Sequence, residues 1–278
     1  MATILIAGCG DVGNALGRRL MTDGHTVYGL RRNVAQLAHG IQPIAASLNE
    51  LADVELPQVD YLVYCAAAKS SDEAVYRGVY LDGLRCMLER LADQNVKRLI
   101  FTSSTSVYAQ NNGDWVDELS NTTPSSFSGQ VMLEAETLVQ EATIPGICLR
   151  LGGIYGPSRN YLLKAIQQGA SYPTEPPIYG NRIHRDDCAG LLAHLLFVDN
   201  PKNTYIGVDN EPAPMHEVAN WLRDALKASG LPLGTASNTP PRRASKRCNN
   251  QRARDSGYVF HYPSYREGYA PQIHMLQS

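Results

Sequence analysis

Several side chains with catalytic potential follow apolar runs or lie in polar segments of this sequence. Ser103 and Ser104 end one apolar run, Tyr108 comes four residues after Ser104, and His184 lies in a polar segment further on. A serine hydroxyl can donate to a carbonyl or hydroxyl oxygen, and a histidine can carry a proton near neutral pH. The alternative is that Ser103-Ser104 is a simple strand cap. Ser104, Tyr108 and His184 are therefore the candidate catalytic residues.

A second motif is the glycine turn Gly8-x-Gly10-x-x-Gly13 near the start of the chain. The apolar run Ala2–Ala7 precedes the turn, an amphipathic pattern follows it, and His25–Leu30 is a second apolar run. Strand, glycine turn, helix and strand in this order are typical of a dinucleotide-binding βαβ unit. The alternative is a glycine-rich turn in an α/β protein that binds no nucleotide.

Each glycine of the turn has a predicted task. Gly8 permits the tight turn, Gly10 lets the backbone approach a pyrophosphate, and Gly13 lets the helix pack closely on the strands. The helix that begins near Asp11 and Val12 then offers its N–H groups and its dipole to the phosphates. These five residues are the predicted cofactor turn.

The end of the second strand predicts which dinucleotide is bound. NAD-binding units place an acidic residue there, whereas an arginine accommodates the 2′-phosphate of NADP. The chain has Arg31 and Arg32 at this point and no acid between His25 and Asn33. We therefore expect NADP(H), with NAD(H) less favoured. The alternative is that both arginines are solvated surface charges.

Strand and helix patterns alternate along the following chain. Further strands are predicted at Asp60–Ala68, Val96–Thr102, Gly146–Arg150 and Thr204–Val208, and helices at Val34–His39, Ser71–Asp93 and Gln130–Glu141. The alternation predicts a Rossmann-type, doubly wound parallel sheet. A polar link is expected around Pro43 and Pro57, and a polar loop at Ala109–Ser128. Small residues at Ala66 and Ala67 would let the backbone pass under a cofactor, and Ser103 is expected to contact it as well.

The pattern loosens beyond residue 154. Residues 1–154 are predicted to form the dinucleotide-binding domain, completed by about residues 185–208. Residues 155–278 would form a small C-terminal substrate lobe, interleaved with the sheet. Helices are expected there at Cys188–Asp199 and Met215–Ser229, before a basic, poorly periodic tail. Its segment Arg242–Arg254 carries six Arg or Lys residues and no acid.

Composition restricts the function classes. The net charge of −2 over 278 residues argues against general nucleic-acid binding. Neither a signal peptide nor an apolar run of membrane-spanning length is evident, so we expect a cytoplasmic protein with no membrane partner. The six cysteines are scattered and predict neither disulfides nor a metal site.

Three further segments carry a family resemblance. Val96-Lys97-Arg98-Leu99-Ile100-Phe101-Thr102-Ser103-Ser104-Thr105-Ser106-Val107-Tyr108, Arg150-Leu151-Gly152-Gly153-Ile154-Tyr155-Gly156-Pro157 and Arg182-Ile183-His184-Arg185-Asp186-Asp187 occur in this order. They resemble the strand and serine loop, the Arg…Tyr-Gly-Pro segment and the His-x-x-Asp motif of the extended short-chain dehydrogenases/reductases. That group contains NAD-dependent sugar epimerases and dehydratases. The glycine turn is a variant of the family's usual G-x-x-G-x-x-G.

The resemblance implies a catalytic set that this chain carries only in part. The family uses a Ser or Thr, a Tyr-x-x-x-Lys pair and an upstream Asn. Ser104 matches the serine, and Tyr80 stands where the Asn is expected. The helix that should carry the pair places Ser128 and Met132 there, or Phe127 and Val131 in the neighbouring register.

Tyr80, Tyr155 and Arg182 are the substrate-side candidates that the resemblance implies. Arg150, Arg159, Arg182 and the basic tail suggest an anionic substrate, because guanidinium groups suit phosphate or carboxylate. Two functions remain open. One is an NAD(P)-dependent epimerase, dehydratase or reductase with a modified active site, acting on a sugar-like or anionic carbonyl compound. The other is a catalytically silent NADP(H)-binding sensor or scaffold. A homodimer is also left open.

Overall fold

The computed structural model describes residues 1–234 and 245–276. The chain folds into two compact units, each built from separate segments of the sequence. Unit 1 comprises Met1–Tyr108, Asn121–Arg150 and Cys188–Tyr205, and unit 2 comprises Ala109–Ser120, Leu151–Asp187 and Ile206–Ser278. In the described ranges no helix is both long and apolar enough to cross a membrane.

The strands of the described residues are short and mostly buried. In chain order they are β1 (Thr3–Ala7), β2 (Thr26–Arg31), β3 (Gln42–Ala45), β4 (Tyr61–Tyr64), β5 (Arg98–Ser104), β6 (Asp114–Val116), β7 (Gly146–Leu151), β8 (Gly153–Tyr155), β9 (Tyr179–Gly180), β10 (Arg182–His184), β11 (Thr204–Gly207), β12 (Ala213–Pro214) and β13 (Lys246–Cys248).

The helices connect these strands. They are α1 (Asp11–Thr22), α2 (Glu73–Arg77), α3 (Gly83–Arg90), α4 (Phe127–Glu141), α5 (Tyr161–Gln167), α6 (Arg185–Phe197), α7 (Met215–Ala228), α8 (Gln251–Asp255) and α9 (Tyr265–Met275). A π-helical turn at Gly78–Asp82 joins α2 to α3, and short 3-10 turns lie at Val34–Gln36 and Thr105–Val107.

A seven-stranded parallel sheet is the centre of the fold. Its strand order is β11-β7-β5-β4-β1-β2-β3, so the order reverses between β1 and β4. The central strands are almost fully buried, because helices cover both faces of a sheet of this kind. The doubly wound parallel sheet predicted from the sequence is confirmed. Ligands of such sheets bind beyond the carboxyl ends of the strands at the point of reversal.

Unit 2 contains three small two-stranded ladders and a helical core. Strands β8 and β10 pair in parallel, as do β6 and β13, whereas β9 and β12 pair antiparallel. Helices α5, α7 and α9 surround an apolar cluster that includes Tyr155, Leu222 and Tyr269. This core is built from segments far apart in the sequence. The alternation of strands and helices is therefore weak in this part of the sequence.

Several elements differ from the sequence-based expectations. The polar link around Pro43 contains β3, which pairs with β2, and the loop 109–128 contains β6. The predicted helix Ser71–Asp93 is interrupted by the π-helical turn, and Val34–His39 forms only one 3-10 turn. The tail is not irregular, since it contains β13, α8 and α9. Its basic segment lies partly outside the described residues.

Candidate functional site

The glycine turn lies where β1 ends, beside the reversal of strand order. Gly8 has φ of +79°, and a Cβ at this residue would lie 2.4 Å from the Ala66 Cα. A left-handed backbone and so close an approach admit only glycine. Ala66 follows the end of β4, so the turn and the β4 end are in direct contact.

The other two glycines of the turn differ in how closely other atoms surround them. At Gly13 a Cβ would lie 3.0 Å from Ile6 Cγ2, so this residue lets α1 approach β1 closely. At Gly10, by contrast, the atom nearest to an added Cβ would be the Gly8 carbonyl oxygen at 3.9 Å. The packing of the fold therefore leaves open space beside the backbone of residue 10.

The start of α1 has the character of an anion site. Gly10 is its N-cap residue, and no side chain caps the helix there. Asp11 lies in the first turn, and Val12 is buried beneath it. Among the described residues no side chain therefore caps the first N–H groups of this helix, and the positive end of its dipole lies at the glycine turn.

Arg31 lies beside this turn. Its Nη1 donates to the Cys9 carbonyl oxygen at 3.1 Å, and its Nη2 donates to Gln36 Oε1. Arg32 follows with an exposed side chain. Burial raises the pKa of the Cys9 thiol to about 12, so this cysteine is a neutral packing residue. One arginine is thus held at the turn, and the other extends into solvent.

Asn14 fixes the segment that follows β2, a role that the sequence analysis did not identify. Its Nδ2 donates to the Gln36 carbonyl oxygen at 3.0 Å, and its Oδ1 accepts from the Ala38 N–H at 2.6 Å. Asn33 accepts from the Ala35 N–H and begins the 3-10 turn. These bonds fix the loop against which Arg31 is positioned.

The end of β4 presents small residues next to a buried tyrosine. Ala66 is buried, Ala67 is exposed, and the Ala68 N–H donates to the Tyr80 hydroxyl at 3.3 Å. Tyr80 belongs to the π-helical turn, and burial raises its pKa. Such turns occur frequently at functional sites. Here it directs the phenol towards the backbone of the β4 loop.

Ser103, a predicted cofactor contact, belongs to a buried polar network. Its hydroxyl donates to Glu136 Oε1 at 2.6 Å, and Arg150 forms an ion pair with Glu136 at 2.6 Å. Arg150 Nη1 also donates to the Tyr108 hydroxyl at 2.8 Å. Burial opposes the charge of Arg150, but the hydrogen bonds to Glu136 outweigh it and raise the pKa. Arg150 is thus neutralised inside unit 1, which removes it as an anion ligand.

Ser104 has a different environment. It is half-buried and caps the 3-10 turn Thr105–Val107 by accepting from the Ser106 N–H at 3.1 Å. The alternative assignment of this serine as a cap therefore has a structural basis. In the described part of the chain the hydroxyl accepts this bond and donates none, so its proton is available to a ligand.

The remaining candidates lie in unit 2. His184 is buried between aromatic rings, with centroid distances of 3.8 Å to Tyr262 and 5.3 Å to Tyr155. Its Nδ1 accepts from the Asp186 N–H at 3.2 Å. Burial lowers the pKa of His184, so the ring is neutral at physiological pH. Tyr155 is buried as well, stacks on Tyr269 at 4.4 Å, and has its pKa raised by burial.

Arg182, the third candidate of unit 2, is only 5% exposed. Its Nη2 donates to Met215 Sδ at 3.3 Å, and its guanidinium lies 5.5 Å from the Tyr265 ring centroid. The predicted site residues therefore fall into two sets. Tyr155, Arg182 and His184 lie in unit 2, and the other predicted site residues lie in unit 1.

Comparison with known proteins gives the family. The sequence pattern of the NAD dependent epimerase/dehydratase family matches residues 4–182. The chain belongs to this family. Protein YeeZ of Escherichia coli K12 is 32% identical over 149 residues, which are 51% of this chain and 49% of that protein. The chain thus spans about half the length of the curated relatives that it matches.

Solved structures show the same fold over the whole chain. A protein of Methylobacillus flagellatus, described as a candidate NAD-dependent epimerase/dehydratase, is 37% identical with a TM-score of 0.85, covering 100% of this chain and 99% of that one. The human epimerase family protein SDR39U1 with NADPH is 19% identical, with a TM-score of 0.79 and coverages of 98% and 99%. MoeE5 with UDP-glucose and NAD is 20% identical, with a TM-score of 0.83 and coverages of 100% and 99%.

The NAD dependent epimerase/dehydratase assignment makes α4 notable for its sequence. This helix contains neither tyrosine nor lysine, and Val131 and Met132 are buried. Phe127, at its first turn, packs edge-on against Tyr76 at 5.5 Å, and Tyr76 packs against Tyr80 at 5.1 Å. Aromatic rings thus surround the start of α4, where the resemblance places the Tyr-x-x-x-Lys pair.

Two buried acids were missed by the sequence analysis. The Glu136 carboxylate accepts hydrogen bonds from both Ser103 and Arg150. The backbone N–H of Asp209 donates to the Arg182 carbonyl oxygen at 2.6 Å. Neither acid belongs to a motif that the sequence pattern singled out. In the described residues no cluster of His, Cys, Asp and Glu could hold a metal ion.

Proposed function

We propose that this protein binds NADP(H) at the Gly8–Gly13 turn. The observation that carries the proposal is the contrast among the three glycines. Gly8 and Gly13 are required by close packing, whereas a Cβ at Gly10 would face open space. Glycine there serves a ligand that needs close backbone approach, which the uncapped start of α1 suits.

The preference for NADP(H) over NAD(H) rests on Arg31 and Arg32. Both stand where β2 ends, the position that faces the adenine ribose in such units. Arg31 is held beside the turn by its bond to the Cys9 carbonyl, so little ordering is needed to contact a 2′-phosphate. Distant fold neighbours include complexes with NADPH and with NAD, so the preference for NADP(H) is inferred from this chain's own residues.

We further propose an epimerase, dehydratase or reductase activity on a small sugar-like or anionic carbonyl compound. When bound, NADP(H) would supply hydride transfer. Ser104 has a free proton to donate and would hold the carbonyl or hydroxyl oxygen of the substrate. Tyr108 and His184 are the candidate proton carriers. The Tyr108 hydroxyl accepts a hydrogen bond from Arg150 at 2.8 Å, whereas His184 is neutral and can accept a proton.

A second candidate function is a catalytically silent NADP(H)-binding sensor or scaffold. The sequence of α4 favours it, because this helix contains neither tyrosine nor lysine and begins at Phe127, which packs against Tyr76. Tyr80 also has a raised pKa and holds its proton. Under this proposal the cofactor is bound but no substrate is turned over.

Transfer of deuterium from labelled NADPH to a panel of sugars, ketones and keto acids distinguishes the two functions. The enzyme proposal predicts slow transfer to at least one compound, lost in Gly10→Val and reduced about tenfold or more in Ser104→Ala. Thr137→Ala, at an exposed residue of α4, is the matched control and should keep the wild-type rate. Tight NADPH binding without transfer to any compound would contradict an enzyme and favour the sensor.

A further inference from the structure

The guanidinium of Arg182 is buried and forms no ion pair in the part of the chain that the structure describes. Its neighbours are the weakly accepting thioether of Met215 and the ring of Tyr265. Within residues 1–234 and 245–276, its Nη1 is buried with no hydrogen-bond partner, and no carboxylate forms an ion pair with it. A buried charge in this state is unfavourable unless something else supplies the missing acceptor.

Asp209 likewise has an unsatisfied polar atom. It is 1% exposed, its N–H donates to the Arg182 carbonyl oxygen, and its Oδ1 accepts from the Glu211 N–H at 3.2 Å. Its Oδ2 is buried and has no partner among the described residues. Two neighbouring side chains thus each present one orphaned polar atom.

The surroundings of these two groups are aromatic. Tyr155 and Tyr269 stack on each other at 4.4 Å and are both nearly fully buried. Asp209 and Arg182 each act on the pKa of both phenols, which places the four side chains in one neighbourhood. Met215, the contact of the Arg182 Nη2, is only half-buried and is a flexible side chain that a ligand can displace.

We propose that Arg182 and Asp209 form a subsite in unit 2 that binds the carboxylate group of an anionic substrate. One guanidinium balances one negative charge, and the orphaned Arg182 Nη1 supplies a donor to a carboxylate oxygen. Asp209, in its protonated form, supplies a second donor. A phosphate dianion would bring twice the charge and a third oxygen into apolar, aromatic surroundings, so a carboxylate fits better.

The subsite has a defined pH dependence. Burial raises the pKa of Asp209 to about 8, Arg182 opposes this shift, and Glu211 and Asp187 add to it. The facing phenols Tyr155 and Tyr269 have raised pKa values and stay neutral near that pH. Below about pH 8 the Asp209 carboxyl therefore donates to the ligand, and above it the ionised carboxylate repels the ligand.

This inference rests on the proposed function only in assuming that unit 2 receives the substrate. The test uses sodium acetate as the probe, at constant ionic strength, with binding measured by calorimetry and thermal shift on the full chain. Wild type should bind acetate saturably near about pH 6.5, and about tenfold or more weakly near about pH 9.5, since one charge-assisted hydrogen bond is lost.

Two variants separate the parts of the subsite. Arg182→Met should weaken acetate binding about tenfold or more at both pH values. Asp209→Asn, whose amide donates at any pH, should bind acetate equally at both. NADPH titration of each variant checks that the chain is folded, because its proposed site lies in unit 1. Each variant should bind NADPH as wild type does.

The contrary results are equally distinct. An absence of saturable acetate binding in wild type that still binds NADPH overturns the subsite and leaves the cofactor proposal intact. Unchanged acetate binding in Arg182→Met, or inorganic phosphate that binds more tightly than acetate, also overturns it. Acetate binding without NADPH binding would instead reject the cofactor proposal alone.

Discussion

Gly8 and Gly10 lie only two residues apart, but the absence of a side chain has a different consequence at each. The backbone of Gly8 is left-handed and touches Ala66, whereas Gly10 has an ordinary φ and open space around it. The fold explains the first glycine, and the proposed cofactor explains the second. This difference can be measured, because stability and binding should respond to different substitutions.

Replacing Gly10 by valine should abolish or weaken NADPH binding by at least about a hundredfold while the fold stays intact. The branched side chain would occupy the space through which a pyrophosphate approaches the backbone. Calorimetric titration gives the affinity, and chemical denaturation gives the free energy of unfolding. An unchanged affinity would show that the nucleotide, if bound, lies elsewhere.

Gly8→Ala is the matched variant for the structural role. It should lower the free energy of unfolding by about 1–3 kcal/mol, since a left-handed residue is strained and its Cβ would lie 2.4 Å from the Ala66 Cα. Urea denaturation measures this change. Equal stability of Gly8→Ala and Gly10→Val would contradict the assignment of distinct roles.

His184 should make the protein less stable as the pH falls. Burial lowers its pKa below the ordinary 6.5 in the folded chain, so the unfolded chain binds the proton more readily. The contribution is complete above about pH 6.5 and is lost progressively below it. The difference in unfolding free energy between wild type and His184→Asn should therefore shrink as the pH falls over about two pH units, from about pH 7 to about pH 5.

The exposed His274 of α9 provides the control for this titration. His274→Gln replaces one exposed polar side chain by another and should keep the wild-type dependence of unfolding free energy on pH. If the difference in unfolding free energy between wild type and His184→Asn stays constant over this pH range, the fold does not hold His184 neutral.

At the scale of residues, the sequence predicted the placement of those that belong to a local pattern, and their functional roles stay predictions. The glycine turn and Arg31 belong to one continuous βαβ segment, so their placement follows from short-range spacing. Glu136 and Asp209 were missed because their partners, Arg150 and Arg182, come from other segments of the chain. Pairing of this kind depends on tertiary contacts that a single sequence does not display.

At the scale of elements, the start of α4 is positioned by a glycine. A Cβ at Gly129 would lie 2.5 Å from both the Pro124 Cβ and the Ser106 carbonyl oxygen. The helix therefore packs directly against the 3-10 turn that Ser104 caps. Position 129 sets how closely α4 approaches that turn.

Gly129→Ala should lower the free energy of unfolding by about 1–3 kcal/mol, because the added methyl group forces α4 away from backbone atoms. Ser128→Ala, one residue earlier on the same helix, should change stability by less than about 1 kcal/mol. Thermal and urea unfolding of both variants measure the effect. A stable Gly129→Ala protein would show that the two elements are not held at this separation.

Elements with a clear apolar pattern were predicted well, and elements without such a pattern were not. The strands β1, β2 and β5 are continuous apolar runs, which parallel sheets bury on both faces. β3 is short, mostly exposed and contains Pro43, so its sequence resembles a link. α9 contains Pro271 and mixes tyrosines with charged residues, which hid its helical period.

At the scale of the whole molecule, the chain carries the sheet of the NAD dependent epimerase/dehydratase family together with a modified set of candidate catalytic residues. Unit 1 holds the glycine turn, the arginine pair and Ser104, while unit 2 holds the proposed carboxylate subsite. Fold and family follow from the sequence because the family motifs span most of the chain. The substrate does not, because its candidate ligands are assembled from separate segments.

Paired titration with NADPH and NADH tests the central claim most directly. Wild type should bind NADPH about ten- to a hundredfold more tightly than NADH, since a charge-assisted contact to the 2′-phosphate contributes about 1.5–3 kcal/mol. Arg31→Asp should lose most of this preference, whereas Arg19→Asp, the same charge change on an exposed residue of α1, should keep it. Equal affinities for the two cofactors in wild type, or tighter binding of NADH, would contradict the account.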